Sequence, residues 1–205
     1  MTGSTGERET KRAATERAML DAAERLFSDQ GFETVSVRDI ARRAGVSHAL
    51  VHRYLGSKEE IYRAVLRRNE DVMRAAAGDT EDLDVALSRM VREGLANRRS
   101  YLRLIAHSAL HGLPYETTIG RFRGAERLVE LAESKAAAAT SPRPDALEPR
   151  LVIAAIVAIY LGWASLEPWL VKATGLEDLD EATLAAGLER IILGIADTNV
   201  PGDDG

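Results

Sequence analysis

The chain's four histidines fall into two pairs with four-residue spacing, His48 with His52 and His107 with His111. On a helix, residues i and i+4 share a face, so each pair could offer two imidazole nitrogens to one metal ion. Neither pair has the glutamate of an H-E-x-x-H arrangement, and spacing supplies no third ligand. For His48 and His52, a basic neighbourhood points to nucleic acid instead. For His107 and His111, metal binding, the polar lining of a ligand pocket and ordinary packing all fit the spacing. The 205 residues include no cysteine, which excludes disulfides, a thiolate nucleophile, Cys-ligated zinc and iron–sulfur clusters. There is no glycine-rich phosphate loop, no G-x-S-x-G elbow and no credible triad. The paired carboxylates Glu59-Glu60 and Asp203-Asp204 lie at a helix start and in a polar tail. The expectation is a protein that is not an enzyme and needs no metal and no cofactor.

The stretch with the most specific chemistry is residues 34–58. It carries Arg38, Arg42, Arg43, Arg53 and Lys58 against Asp39 alone, a local charge of +4 in a chain whose net charge is −5. Divided at Gly78, the first 77 residues hold 14 basic and 12 acidic side chains, and the remainder 13 and 20. The acidic total therefore hides a basic segment of the kind that docks on phosphates. Ser36 and Arg38, at a helix start, suit phosphates or an adjacent base edge. Ser47 and His48 can hydrogen-bond to bases, Ala49 and Leu50 can pack on thymine methyl groups, and His52, Arg53 and Tyr54 are further phosphate or base contacts. Lys58 can clamp a phosphate from the next helix. Tyr54 reads equally well as core, and Arg42 with Arg43 as a solvated face.

These residues need a scaffold, and nearly every apolar pattern in the chain has helical spacing. Met19, Ala22, Ala23, Leu26 and Phe27 mark one helix, ending at Gly31. Ser36 with Asp39 is a capping-box pair opening a short helix whose apolar face is Val37, Ile40, Ala41 and Ala44. Gly45-Val46-Ser47 is then a tight turn with an N-cap, before a second short helix closed by Gly56. That is the grammar of a helix-turn-helix over about residues 36–55, whose second helix fits the DNA major groove. A fourth helix runs to about Ala77, and Gly78-Asp79-Thr80 is the expected domain seam. Beyond it come helices around 83–95, 101–110, 117–139, 145–173 and 184–195, with Asp145/Glu148 and Asp180 as candidate caps. The fold class is all-α with about nine helices. Residues 1–12 and 200–205 are expected to be flexible tails.

The pieces Ala22-Ala23 with Leu26-Phe27, Gly31-Phe32, Thr34 with Ser36-Val37-Arg38-Asp39-Ile40-Ala41, Ala44-Gly45-Val46-Ser47, and Tyr54 with Ser57-Lys58-Glu59 resemble, in order and spacing, the DNA-binding domain of tetracycline-repressor (TetR) family transcriptional regulators. The resemblance spans about a quarter of the chain. It implies a DNA-binding domain over residues 13–77 and an effector-binding and dimerisation domain over 78–199. The chain departs from the family pattern at His48, His52, Leu55 and Gly56. The first two lie on the reading helix, so they bear on which operator is read.

What the resemblance implies for the C-terminal half gives its side chains candidate roles. Met90, His107, His111, Tyr160, Trp163 and Glu167 are candidate effector contacts. The last three follow one another at helical steps, which core or dimer packing would explain too. The small-residue stripe Ala154, Ala158 and Gly162, with Gly187, Ile191 and Gly194, suits a homodimer interface of four helices. The basic group Arg121, Arg123 and Arg127 reads as a solvated face. No apolar run exceeds the 14 residues of 151–164, and no secretory leader is visible, so a cytoplasmic protein with no membrane partner is expected. The expected partners are a palindromic double-stranded DNA operator, a small-molecule effector and a second copy of the chain. Two alternatives are a ligand-independent DNA-binding protein of the same fold, and a helical metal- or ligand-binding protein or enzyme using His107 and His111.

Overall fold

A computed structural model describes residues 3–111, 122–140 and 146–201. Among them are nine helices and no strand: α1 Gly3–Gln30, α2 Val37–Ala44, α3 His48–Leu55, α4 Lys58–Ala77, α5 Leu83–Asn97, α6 Arg99–Leu110, α7 Arg123–Ala138, α8 Pro149–Thr174 and α9 Glu181–Asn199. The expected all-α class is what the chain adopts.

The chain divides into two compact units, Met1–Asn69 with His107–Gly120, and Glu70–Ala106 with Arg121–Gly205. In the first, α1 packs on α2 and α3, and α2 on α3. Met19, Ala23, Phe27, Ile40, Val51, Ile61 and Val65 are fully buried, so the apolar stripes read from the sequence form one core. Its aromatic centre is Phe27, Phe32 and Tyr62, whose ring centroids lie 4.8–5.7 Å apart. The Tyr62 hydroxyl pairs with that of Ser108. Arg68 and Asn69 meet Asp21 and Glu24 on α1.

In the second unit, α7 packs on α5 and α8, and α9 on α5 and α8. Leu87, Leu102, Leu131, Ile153 and Ile192 are among its fully buried large aliphatics. Ser88 and Arg92 on α5 bind Glu189 on α9. By length and composition α8 could cross a membrane. Here its Val152, Ile153, Ile156, Tyr160 and Ala164 are buried in the unit's core, and Glu167 pairs with Arg99.

Two helix starts differ from expectation. The expected tail over residues 1–12 is helical from Gly3, as the first turns of α1. Residues 7–14 contain neither Gly nor Pro, and Arg12 pairs with Glu16 at 2.9 Å one turn on, so the helix continues with no apolar face to reveal it. Helix α8 starts at Pro149 behind Glu148, which makes no side-chain cap. Pro at N1 needs no hydrogen-bond partner for its nitrogen and serves as the start. The expected start at Asp145, the segment 117–121 and Arg121 lie outside the described residues. Asp180 does cap the last helix, accepting from the Thr183 amide at 2.7 Å.

Candidate functional site

The turn between α2 and α3 is built as its sequence suggests. The Ser36 hydroxyl accepts from the Asp39 amide at 3.2 Å, and the Ser36 amide donates back to the Asp39 carboxylate at 3.0 Å. The Ser36 hydroxyl and amide, both donating to the Asp39 carboxylate, together with the adjacent Arg42 guanidinium, hold that carboxyl below its ordinary pKa. Gly45 adopts φ 69°, ψ 30°, left-handed geometry that costs glycine nothing. Its turn lets the Val46 amide reach back to the Ala41 carbonyl at 3.0 Å. Ser47 then caps α3, accepting from the Leu50 amide at 3.2 Å.

This frame sets what α3 shows to solvent. Val51 is 0% exposed and anchors the helix. Ser47, His48, Ala49, His52 and Arg53 are exposed, Leu50 and Tyr54 half-buried. The rings of His48 and His52 meet edge to face at 4.5 Å on the outer face. Arg38 is exposed at the start of α2, as are Arg42 and Arg43 at its end. Tyr54 belongs partly to the scaffold, because the Arg12 guanidinium of α1 lies 5.1 Å from its ring centroid and that of Arg53 5.9 Å.

Two residues expected to touch DNA are engaged within the fold. The Ser36 amide and hydroxyl both donate to Asp39. The Lys58 ammonium donates to the carbonyls of Phe32 at 2.8 Å and Glu33 at 3.2 Å. Lysine has three N–H donors, so two of the three hold the chain segment after α1 rather than a phosphate. A basic, exposed, short helix braced by a second helix, with its anchor buried, has the geometry of a helix-turn-helix.

The family profile described as bacterial regulatory proteins, tetR family, matches residues 19–65. The HTH-type transcriptional repressor Rv3405c of Mycobacterium tuberculosis is 31% identical over 179 residues, which cover 86% of this chain and 87% of that protein. The chain belongs to the TetR family. The solved TetR-like transcriptional regulator of Rhodococcus sp. RHA1 superposes with a TM-score of 0.61 at 27% identity, over 90% of this chain and 97% of its own. The TetR-family regulator PfmR of Thermus thermophilus shares the fold, with a TM-score of 0.60 at 22% identity over 91% and 96%. As a TetR-family member the protein is a DNA-binding transcriptional regulator, not an enzyme.

The second unit of this TetR-family regulator encloses a small apolar cavity of about 30 Å³, the room of about one water. Met73, Leu87, Met90, Phe122, Ile156 and Tyr160 line it, together with the carboxylate-bearing Glu70. Of the six candidate effector contacts, Met90 and Tyr160 meet here, the Tyr160 hydroxyl donating to the Met90 carbonyl at 2.9 Å. Burial pushes that phenol well above its ordinary pKa. Trp163 is half-buried and not among the lining residues. Glu167 is paired with Arg99. His107 and His111 belong to the other unit. Their rings stack at 3.9 Å beside Gly31 and Thr34, and burial first, then His111, lowers the His107 pKa. Of the six, the structure brings Met90 and Tyr160 together at this cavity. Among the described residues no group of three or more His, Cys, Asp or Glu is placed to hold a metal.

Glu70 was missed as a cavity residue, although a signal for it existed. It follows Leu66 by four positions and precedes Met73 by three, so α4's own spacing places a carboxylate on the stripe that its buried neighbours occupy. The small-residue stripe also has a definite place. Ala154, Ala158, Gly194 and Ile191 are exposed, with Ile191 at 57%. Beta carbons added at Gly162, Gly187 and Gly194 would meet nothing within 4 Å. Leu151, Leu166 and Trp169 of α8 are exposed too, Trp169 at 66%. Apolar surface concentrated on α8 and α9 is a candidate protein–protein face.

Proposed function

We propose that this TetR-family regulator is a cytoplasmic repressor. It binds a palindromic double-stranded DNA operator as a homodimer and is released by a small, largely apolar molecule. The observation that carries DNA reading is α3, which presents Ser47, His48, Ala49, His52 and Arg53 to solvent while Val51 is fully buried. A two-fold dimer offers two such helices, and half-sites about one DNA turn apart would match them. The dimer reading rests on the apolar stripe of α8 and α9. The effector reading rests on the apolar cavity of the second unit. A repressor role agrees with the name of the M. tuberculosis relative.

Release is a matter of linkage: the effector must bind the conformation with mis-spaced reading heads better than the DNA-bound one. A coupling of about 1–3 kcal/mol changes operator affinity roughly 5- to 150-fold. Footprinting of the purified protein on DNA flanking its own gene tests the reading. Protection of two inverted half-sites is expected, and protection without sequence preference would refute it. Light scattering of wild type and Ile191→Glu tests the dimer. The wild type is expected at twice the chain mass and the variant at one chain mass with weaker operator binding.

A further inference from the structure

Glu70 is 6% exposed, on the wall of a cavity otherwise lined almost wholly by apolar and aromatic side chains. Its carboxylate accepts from the Tyr101 hydroxyl at 2.6 Å and from the Arg123 amide at 2.9 Å, at the N-terminus of α7. Phe122 provides no side-chain cap there, so Glu70 takes that place. The Gly124 amide contributes as well. These donors are neutral dipoles, and although the Arg123 charge also favours the carboxylate, no ion pair to Glu70 forms among the described residues. A carboxylate buried in apolar surroundings without a paired counter-charge is held at an energetic cost, because dipoles replace hydration only in part. Each carboxylate oxygen has two lone-pair directions, so acceptor capacity remains.

Three ligand classes can be compared at such a wall. An acid would set two carboxyls side by side and force one to stay protonated. A neutral apolar molecule would strip more solvent from Glu70 and return nothing. A cation that carries N–H donors supplies a directly paired charge, and charge-assisted hydrogen bonds are about twice as strong as neutral ones. The rings of Tyr101, Phe122 and Tyr160 line the same cavity, and aromatic faces attract cations.

Resting on the reading of this unit as the effector-binding one, we propose that the effector is a cationic amphiphile, whose apolar body opens the cavity and whose ammonium-type head pairs with Glu70. The cavity as it stands admits about one water, so its wall must move. Met73 and Met90 are the movable parts, being unbranched and adaptable. The Met90 methyl rests on Gly124, where an added Cβ would come within 2.8 Å of it. An entering chain displaces Met90 from Gly124 and draws Glu70 from the α7 amides it caps. Glu70 and Met73 lie on α4, the helix that begins with Lys58, so the ligand acts on the element that follows the reading helix in the chain.

The test uses three probes with the same ten-carbon chain, decylammonium, decanol and decanoate. Each is titrated calorimetrically into the full-length protein, without DNA and below micellar concentration. The ammonium is expected to bind about tenfold or more tighter than the alcohol, and Glu70→Gln to remove that advantage. Equal or tighter binding of decanol or decanoate, or an unchanged ammonium affinity in Glu70→Gln, overturns the cationic class and leaves the effector reading standing. Binding of none of the three overturns both. Circular dichroism shows whether Glu70→Gln folds. Tyr101→Phe gives an independent check, because it keeps the ring and the carboxylate while removing one donor. It is expected to bind the ammonium at least as tightly as wild type, and a tenfold loss there overturns the proposal.

Discussion

The Lys58 ammonium donates to the Phe32 carbonyl at 2.8 Å and lies 4.3 Å from the centroid of the same residue's ring. A cation at the start of α4 thus fastens the segment that leaves α1 through both its backbone and its aromatic face. Hydrogen bonds from charged groups contribute about 1.5–3 kcal/mol when shielded, and Lys58 is only half-buried, so about 1 kcal/mol is reasonable for this one.

Replacing Lys58 with Ala is therefore expected to lower the melting temperature by several degrees and to weaken binding on all DNA sequences about equally. The slope of log affinity against log salt should change by clearly less than one unit, because a true phosphate contact would remove roughly one. Fluorescence anisotropy at four salt concentrations checks this. A drop of a full unit would assign Lys58 to a phosphate.

Arg53 and His48, both exposed on α3, should behave differently from Lys58 and from each other. Arg53→Ala is expected to leave stability within about 0.5 kcal/mol, the usual range for surface substitutions, and to lower the salt slope by roughly one. His48→Ala is expected to change base preference at one position of the half-site, with discrimination shifting by about 1–3 kcal/mol. Equal affinity loss across all single-base operator variants would show that His48 does not read a base.

Local chemistry explains why the helix-turn-helix was legible in the sequence. Ser36, Asp39, Gly45 and Ser47 act on atoms three or four residues away, and each makes a local bond of that span in the structure. Residues 9–14 of α1 are all exposed, so the periodicity was silent there. They are supported instead by a charge pair and by Arg12 over Tyr54, a contact between residues 42 positions apart. The candidate effector contacts are less legible for the same reason. Spacing says which residues share a helix face, but not what that face meets. The partner of Glu167, for example, is Arg99, 68 positions away. His107 and His111 do form a pair, but against the turn that follows α1.

That turn gives a paired test. Gly31 has φ +80°, and a Cβ on it would fall 2.4 Å from His107 Cε1; Gly45 has φ +69° and nothing within 4 Å of the corresponding position. Alanine at either site meets the left-handed penalty of about 1–2 kcal/mol. At Gly31 it also collides with a ring stacked on His111, adding about 1–3 kcal/mol of overpacking. Gly31→Ala is thus expected to melt several degrees below Gly45→Ala. Asparagine, which tolerates this backbone, should recover part of the loss at Gly45 and little at Gly31. Equal melting temperatures for the two alanine variants would mean that His107 moves aside without cost.

The buried carboxylate of Glu70 gives a pH signature with a definite sign. Burial, the largest influence, raises its pKa above the usual Glu value, with Tyr101, the α7 amides and the Arg123 charge opposing. The folded state then binds this proton more tightly than the unfolded one. The stability tied to it is full below the unfolded pKa and lost as pH rises through the folded pKa. Asp39, Glu60 and Glu189, all held below their ordinary values by hydrogen bonds, act in the opposite direction, which hides Glu70 in the wild-type profile alone. Subtracting the Glu70→Gln profile removes them, since they are common to both proteins. The melting temperature of wild type minus that of Glu70→Gln is expected to fall as pH rises from about 4 toward neutrality. A difference that grew with pH would mean that Tyr101 and the two amides outweigh burial. Glu70 would then be a satisfied helix cap with no standing demand for a cation.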